Sequence, residues 1–197
     1  MTLRADDIRT LTLRDGRTLP VRPVRDADAA ALQDYFHRLS EASRYSRMLG
    51  AVRELPPQEL YRVLHGDGDH LSLIVTTSRG GFEEIVAEAR LAHDPVTDEV
   101  EISLSVADDW QRSGVGSALF DHLRGLAMTF GPVEMHGDTL RSNAAMISLA
   151  RSRGFALIPT PGDWRLVRFH KAIAQDGPAL LALSVPAQRE GKAAPAL

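Results

Sequence analysis

The segment Gln111-Arg112-Ser113-Gly114-Val115-Gly116-Ser117 sets two glycines, one residue apart, among small polar neighbours and just ahead of an amphipathic run. A helix opening on such a segment leaves its first-turn N–H groups without intrahelical partners, and glycines let an anion approach that backbone closely. Phosphate is the natural ligand. Two common phosphate loops are excluded by residue type. The dinucleotide fingerprint needs a third glycine where this chain has Leu119, and the NTPase loop needs Gly-Lys-Ser/Thr where Gly116 is followed by Ser117-Ala118. What remains is Q-x-x-G-x-G between an alternating strand and a helix, with plain turn glycines as the alternative.

Other reactive side chains are less organised. His93-Asp94 and His136-Gly137-Asp138 could form acid-base pairs or ligate a metal, but neither has a second ligand at helical spacing or a cysteine pair. Both read as structural or solvent-facing, with His136 and Asp138 the better placed to line a substrate cleft. His65, Asp67, Asp69 and His70 surround Gly66 and Gly68 in a turn-like stretch. His122 falls on an apolar helix stripe and reads as a packed histidine. The chain has no cysteine, which removes disulfides, thiolate metal sites and a thiol nucleophile. It also lacks a serine-nucleophile motif, so a covalent enzyme intermediate has no support and no metal is expected.

The elements that must hold these residues are legible in outline. TLTLRDGRTLPVRPV alternates on both sides of Asp15-Gly16 and predicts a tight hairpin. Asp26 is expected to cap a helix carrying Ala29, Leu32, Tyr35, Phe36 and Leu39. SEASRYSRMLG continues as a second helical piece, and Pro56-Pro57 opens a third with Leu60, Val63 and Leu64 on one face. HLSLIVTT and FEEIVAEARLAH read as adjacent antiparallel strands. In EVEISLSV the period of two puts Glu101, Ser103 and Ser105 on one face and Ile102, Leu104 and Val106 on the other. Past the glycines, Val115, Ala118, Leu119, His122, Leu123 and Leu126 form a helical stripe that Gly131-Pro132 ends. VEMHGDTL reads as a strand. Asn143 then caps a helix that stops at Gly154, with Phe155 placed for the contact that follows a C-cap glycine, and DWRLVRFHK predicts a last strand.

Composition bounds the function. The 197 residues carry a formal net charge of -3 and no lysine or arginine run, so nucleic acid is not an expected partner. No window approaches the roughly 18 apolar residues of a membrane helix, and MTLRADDIRT lacks an apolar signal core, so no membrane partner is expected. The expectation is a soluble, cytoplasmic protein organised as an N-terminal extension over residues 1–10, a single domain over 11–174, and a loosely attached or disordered tail over 175–197.

Q-x-x-G-x-G in this setting resembles the acyl-CoA-binding motif of the GNAT acyltransferase superfamily. The preceding strand, the helix from Asn143 to Arg153-Gly154-Phe155 and the N-terminal LRDGRTLPVRPVRDADAAAL resemble the acetyltransferase module of bacterial Pat-type protein-lysine acetyltransferases, from about Leu11 to Lys171. The resemblance implies an α/β (α+β) fold with a mixed, mostly antiparallel central sheet and helices on both faces. It implies acetyl-CoA as acyl donor, its pyrophosphate held by backbone amides of Gln111, Arg112, Ser113, Gly114, Val115, Gly116 and Ser117. Asn143, whose side chain can cap its own helix, is implied to reach the pantetheine arm as well.

Acetylating an amine makes two demands. An amine with a pKa of about 10.4 must lose a proton before attack, and the oxyanion that develops must be stabilised. From the residues alone, Glu101 is a solvent-facing strand glutamate; by resemblance, nine residues ahead of Trp110, it is the general base. The family likewise implies an oxyanion donor among the main-chain N–H groups from Leu104 to Val106, exposed where this strand splays from the next. Many relatives carry a tyrosine at the position of Ala150 to protonate the departing thiolate, and Ala150 has no proton to give. A thiol pKa of about 8.5 lets a thiolate leave without that help. The acceptor stays open between a protein lysine and a small-molecule amine, a non-catalytic acyl-CoA-sensing module is the rival reading, and a homodimer is left open.

Overall fold

In the computed structural model, residues 8–66 and 69–174 are described. β1 (Arg9–Thr12) and β2 (Thr18–Pro23) form the N-terminal hairpin. Its turn is wider than a two-residue one: Leu13 N donates to Arg17 O at 2.8 Å and Gly16 N to Leu13 O at 3.0 Å. Gly16, at φ 85°, supplies the left-handed position that such a longer turn needs. A 3₁₀ turn at Asp26–Asp28 leads into α1 (Ala29–Arg38), so Asp26 does not cap that helix. Asp28 takes the structural role, accepting from the Arg25 N–H at 2.7 Å and from both ends of the buried Arg22 guanidinium at 2.8 Å. α2 (Glu41–Met48) starts at Ser40, whose hydroxyl accepts from Ser43 N, and α3 (Pro57–Leu64) has proline in its first turn.

β3 (His70–Arg79) and β4 (Phe82–Asp94) pair antiparallel, as expected, and β5 (Glu99–Val106) adds antiparallel to β4. α4 (Val115–Ala127) crosses back, followed by β6 (Val133–Leu140), α5 (Ala144–Ser152), β7 (Ala156–Pro159) and β8 (Leu166–Ile173). β7 has no counterpart in the pattern reading, because four residues ending in proline give no usable alternation. α5 ends on Gly154 at φ 76°, with Phe155 N donating back to Ala150 O at 3.1 Å and the Phe155 ring buried.

Among the described residues the strands form one sheet in the order β1-β2-β3-β4-β5-β6-β8-β7, in which the β5–β6 pair is the parallel one. Leu119, Phe120 and Leu123 of α4 pack with Val75, Ala89, Ile102 and Phe169 on one face. Leu32, Phe36 and Val63 of α1 and α3 pack with Ile74 and Ile85 on the other. Helices therefore cover both faces of a mostly antiparallel sheet, and residues 175–197, the expected tail, lie outside the described residues.

One interruption in this sheet matters for function. β5 and β6 pair only from Glu99↔Glu134 to Glu101↔His136, although β5 runs on to Val106 and β6 to Leu140. Gly137 sits at the point of divergence. A Cβ there would lie 2.5 Å from the Ile102 carbonyl oxygen and closer still to the Phe169 ring, so the two strands meet this tightly only with glycine. Beyond that contact the edge of β5 facing β6 has no strand partner among the described residues.

Candidate active site

The loop after β5 turns sharply. Arg112 has φ 61° and Gly114, the N-cap of α4, has φ 96°, so the left-handed backbone that favours glycine is required at Gly114. Gly116 lies inside α4 with ordinary geometry, and a Cβ on it would meet only Val106 Cγ2 at 3.5 Å. Neither its backbone angles nor its surroundings in the protein require glycine. The first helical hydrogen bond runs from Ala118 N to Gly114 O at 3.0 Å, so the N–H groups of Val115, Gly116 and Ser117 precede the helical ladder. They lie at the positive, N-terminal end of the α4 dipole, where an anion is favoured.

A groove of about 1190 Å³ runs past this helix start. Its walls include Leu104 and Val106 of the unpaired β5 edge, Asn143 and Met146 of α5, and Arg14 of the β1–β2 turn. A phosphate-bearing chain with an extended tail fits its lining. Polar bonds fasten the loop to α2: Asp108 accepts from Ser40 N (2.8 Å), Ser40 Oγ (2.7 Å) and Ser43 Oγ (2.9 Å), and Gln111 Nε2 donates to Ser43 Oγ at 3.1 Å and to Val106 O at 3.2 Å. Burial alone would push the Asp108 carboxyl up, but the Ser40 and Ser43 donors outweigh it and hold it below its ordinary value. On the other flank Arg153 bridges Asp121 at 2.9 Å and donates to Ser117 Oγ.

A second cavity of about 650 Å³ joins this groove, sharing Ser46, Arg47, Leu104, Asn143 and Met146 with it. The junction therefore lies where β5 and β6 part. Below it Arg47 of α2 holds Glu88 of β4 in a two-pronged pair, both contacts 2.8 Å, with both side chains buried. Arg90 reaches the same carboxylate at 2.9 Å and also binds Glu59 of α3. Burial disfavours the charged Glu88 carboxyl, yet Arg47 and Arg90 overcome that and hold it down to about 2. Asp138 is matched by Arg168 at 2.7 Å and by the Thr160 hydroxyl at 2.8 Å. Among the described residues Glu101 is the acid on this cavity wall that makes no ion pair or hydrogen bond, although the charge of Arg168, paired with Asp138, reaches it.

The family model of the acetyltransferase (GNAT) family matches residues 32–155, which span the helices, the sheet centre, the glycine loop and α5. The chain belongs to the GNAT acetyltransferase family. It is 29% identical over 153 residues to the acetyltransferase PA5475 of Pseudomonas aeruginosa, covering 77% of this chain and 82% of that one. The GNAT domain of S. lividans PAT superposes with a TM-score of 0.74 at 27% identity, over 84% of this chain and 97% of the other. A phosphinothricin acetyltransferase from Sinorhizobium meliloti, solved in complex with AcCoA, shares the fold with a TM-score of 0.60 at 17% identity, over 79% and 89% of the two chains.

Within this GNAT enzyme, Leu104, Val106, Gln111, Arg112, Ser113, Gly114, Gly116, Ser117 and Asn143 all border the long groove. The Val115 side chain is fully buried in the core, which leaves its main chain as the part that faces the loop. Glu101 lies apart from them in the second cavity, which shares Leu104 and Asn143 with the groove. Asn143 Oδ1 accepts from Met146 N at 3.1 Å, so its capping role is present, and its Nδ2 donates to Thr139 Oγ1 at 3.1 Å. Ala150 is buried in the core.

Asp138 lines the second cavity, while His136 is buried beside Glu99 at 3.9 Å and does not border it. His93 stacks on Phe130 with ring centroids 4.3 Å apart, and among the described residues no group of three or more histidines and carboxylates converges as a metal site. Missing from the sequence reading were Arg47, Glu59, Glu88 and Arg90. Their only trace was polar residues at positions where strand β4 should be buried, notably Glu88 within IVAEARL.

Proposed function

We propose that the protein transfers an acetyl group from acetyl-CoA directly to a primary amine, with a protein lysine side chain as acceptor, in the cytoplasm. The observation that carries this reading is Glu101: a carboxylate without an ion-pair or hydrogen-bond partner among the described residues, in a cavity that opens onto the unpaired edge of β5. Family membership supports acetyl-CoA as donor, and the groove residues fit it. Main-chain N–H groups from Gln111 to Ser117 hold the pyrophosphate, and the free edge of β5 pairs with the amide-bearing arm as it would with an added strand. Asn143 supports that arm from the opposite wall. Likeness to the S. lividans PAT domain and the sequence resemblance to Pat-type modules support a protein lysine as acceptor.

In the reaction Glu101 accepts a proton from the incoming ammonium, directly or through a water, and the neutral amine attacks the acyl carbon. A main-chain N–H on the Leu104–Val106 edge stabilises the oxyanion. Collapse breaks the C–S bond and releases CoA as the thiolate, which takes up the second proton shed by the attacking nitrogen as the amide forms; Ala150 takes no part in that protonation.

Release of free CoA thiol, with acetyl-CoA and a panel of lysine-bearing proteins and small amines, tests the reading. Turnover on protein lysines, mapped by mass spectrometry, is expected to fall about 10²- to 10⁴-fold in Glu101→Gln while CoA affinity holds. Turnover confined to small amines would discard the lysine acceptor. Full activity of Glu101→Gln would remove the base, and tight CoA binding without turnover on any acceptor would leave a sensing module.

A further inference from the structure

The reading above accounts for the pyrophosphate and the arm but leaves the nucleotide end of CoA, with its 3′-phosphate, without a partner. Two walls flank the start of α4. On the α5 side the groove cation is Arg153, already committed to Asp121 at 2.9 Å and to Ser117. On the hairpin side Arg14, Arg17 and Arg112 all border the groove. Arg17 is paired with Asp15 at 2.8 Å and lies over the Trp110 ring at 5.7 Å, which neutralises that aspartate and fixes the turn. Among the described residues the guanidinium groups of Arg14 and Arg112 form no ion pair and no hydrogen bond.

The hairpin is also close to the loop. A Cβ on Gly114 would lie 3.9 Å from the Arg14 amide nitrogen, so the β1–β2 turn backs directly onto the glycine that starts α4. In a chain of net charge -3, five arginines against two aspartates line this groove. An exposed guanidinium without a counter-charge is hydrated and free to meet an incoming anion, and its fork suits a phosphate.

We propose that the β1–β2 turn is a phosphate clamp, in which Arg14, assisted by Arg112, binds the 3′-phosphate of CoA and makes the enzyme select CoA over its 3′-dephospho form. This selectivity rests on the CoA reading of the groove and adds a residue class to it: a cation supplied from outside the glycine loop.

Titration calorimetry with CoA and with 3′-dephospho-CoA tests the clamp without turnover. The unaltered protein is expected to bind CoA about 10-fold more tightly, a preference that shrinks as salt rises. Arg14→Ala, at an exposed turn position, should lose most of that preference while its affinity for 3′-dephospho-CoA stays within about twofold. Arg14→Ala combined with Arg112→Ala should abolish it, and Arg79→Ala, on the β3–β4 turn away from the groove, should retain it. Equal affinity of the unaltered protein for the two ligands would overturn the clamp and leave the CoA reading standing. So would an Arg14→Ala variant that weakens both ligands alike. Binding of neither ligand would overturn both.

Discussion

The two cavities that meet at the β5–β6 divergence are built in opposite ways. The long groove presents main-chain donors ahead of the helical ladder and two arginines, Arg14 and Arg112, that form no ion pair among the described residues, with its loop held by one glycine at φ 96° and by neutral hydroxyls on Asp108. The adjoining cavity is walled by side chains of full charge, and nearly all of them are matched: Arg47 and Arg90 with Glu88, Arg90 with Glu59, Arg168 with Asp138. A ligand entering the groove completes interactions the protein leaves open. One entering the cavity meets paired charges, with Glu101 the carboxylate on its wall that makes no direct contact with an arginine. In the function proposed above, anion capture and proton abstraction are separated in this way, although the two cavities share a wall.

That contrast can be probed by removing what each side depends on. Glu88→Gln should have the largest effect on stability, because it leaves the buried Arg47 without its counter-charge; a loss of about 3–5 kcal/mol is expected in urea unfolding. The sign of the accompanying pH effect follows from the depressed carboxyl. Its contribution is complete above the unfolded value near 4.5 and is lost as pH falls towards about 2, so Tm should decline across that window and do so less steeply in Glu88→Gln. Gly137→Ala comes next. The methyl must displace the Ile102 carbonyl or the Phe169 ring, costing about 1–3 kcal/mol in the same assay and shifting the divergence on which both cavities depend.

Effects on the groove side should be smaller in stability and larger in binding. Gly114→Ala forces a side chain into left-handed backbone at a cost of about 1–2 kcal/mol, and calorimetry should record weakened CoA binding as the loop relaxes. Asn143→Ala removes the cap of α5 and should cost about 1 kcal/mol in thermal unfolding. The smallest change is expected for Gly116→Ala, which meets only a normal contact with Val106 and gains helix propensity, so Tm should stay level or rise by a few degrees. A large loss of stability there would show that the two glycines are equivalent and that the distinction drawn from their backbone angles is mistaken.

The divide between what was legible beforehand and what was not follows the same line. Period-two alternation in EVEISLSV placed Glu101 and Ile102 on opposite faces, and the fold keeps them there. Gly154-Phe155 announced the end of α5, and Gln111–Ser117 announced a helix start able to take an anion, since all three depend on backbone geometry within a few residues. Asp26 was misread as a cap because the choice between it and Asp28 is made by Arg22, a partner on another element.

Distance along the chain explains what stayed hidden. Arg47 finds Glu88 across 41 positions, and Arg153 finds Asp121 across 32, through a register that no local pattern encodes. The parting of β5 from β6 is likewise a property of the assembled sheet, in which Gly137 looked like one more strand glycine until the Ile102 carbonyl came against it. Local spacing sets dihedral preferences and the exposure of each face, and so it was enough for the loop, the strands and the family resemblance. Which charges are matched and which one is left unmatched is set by contacts between distant segments, and that required the folded chain.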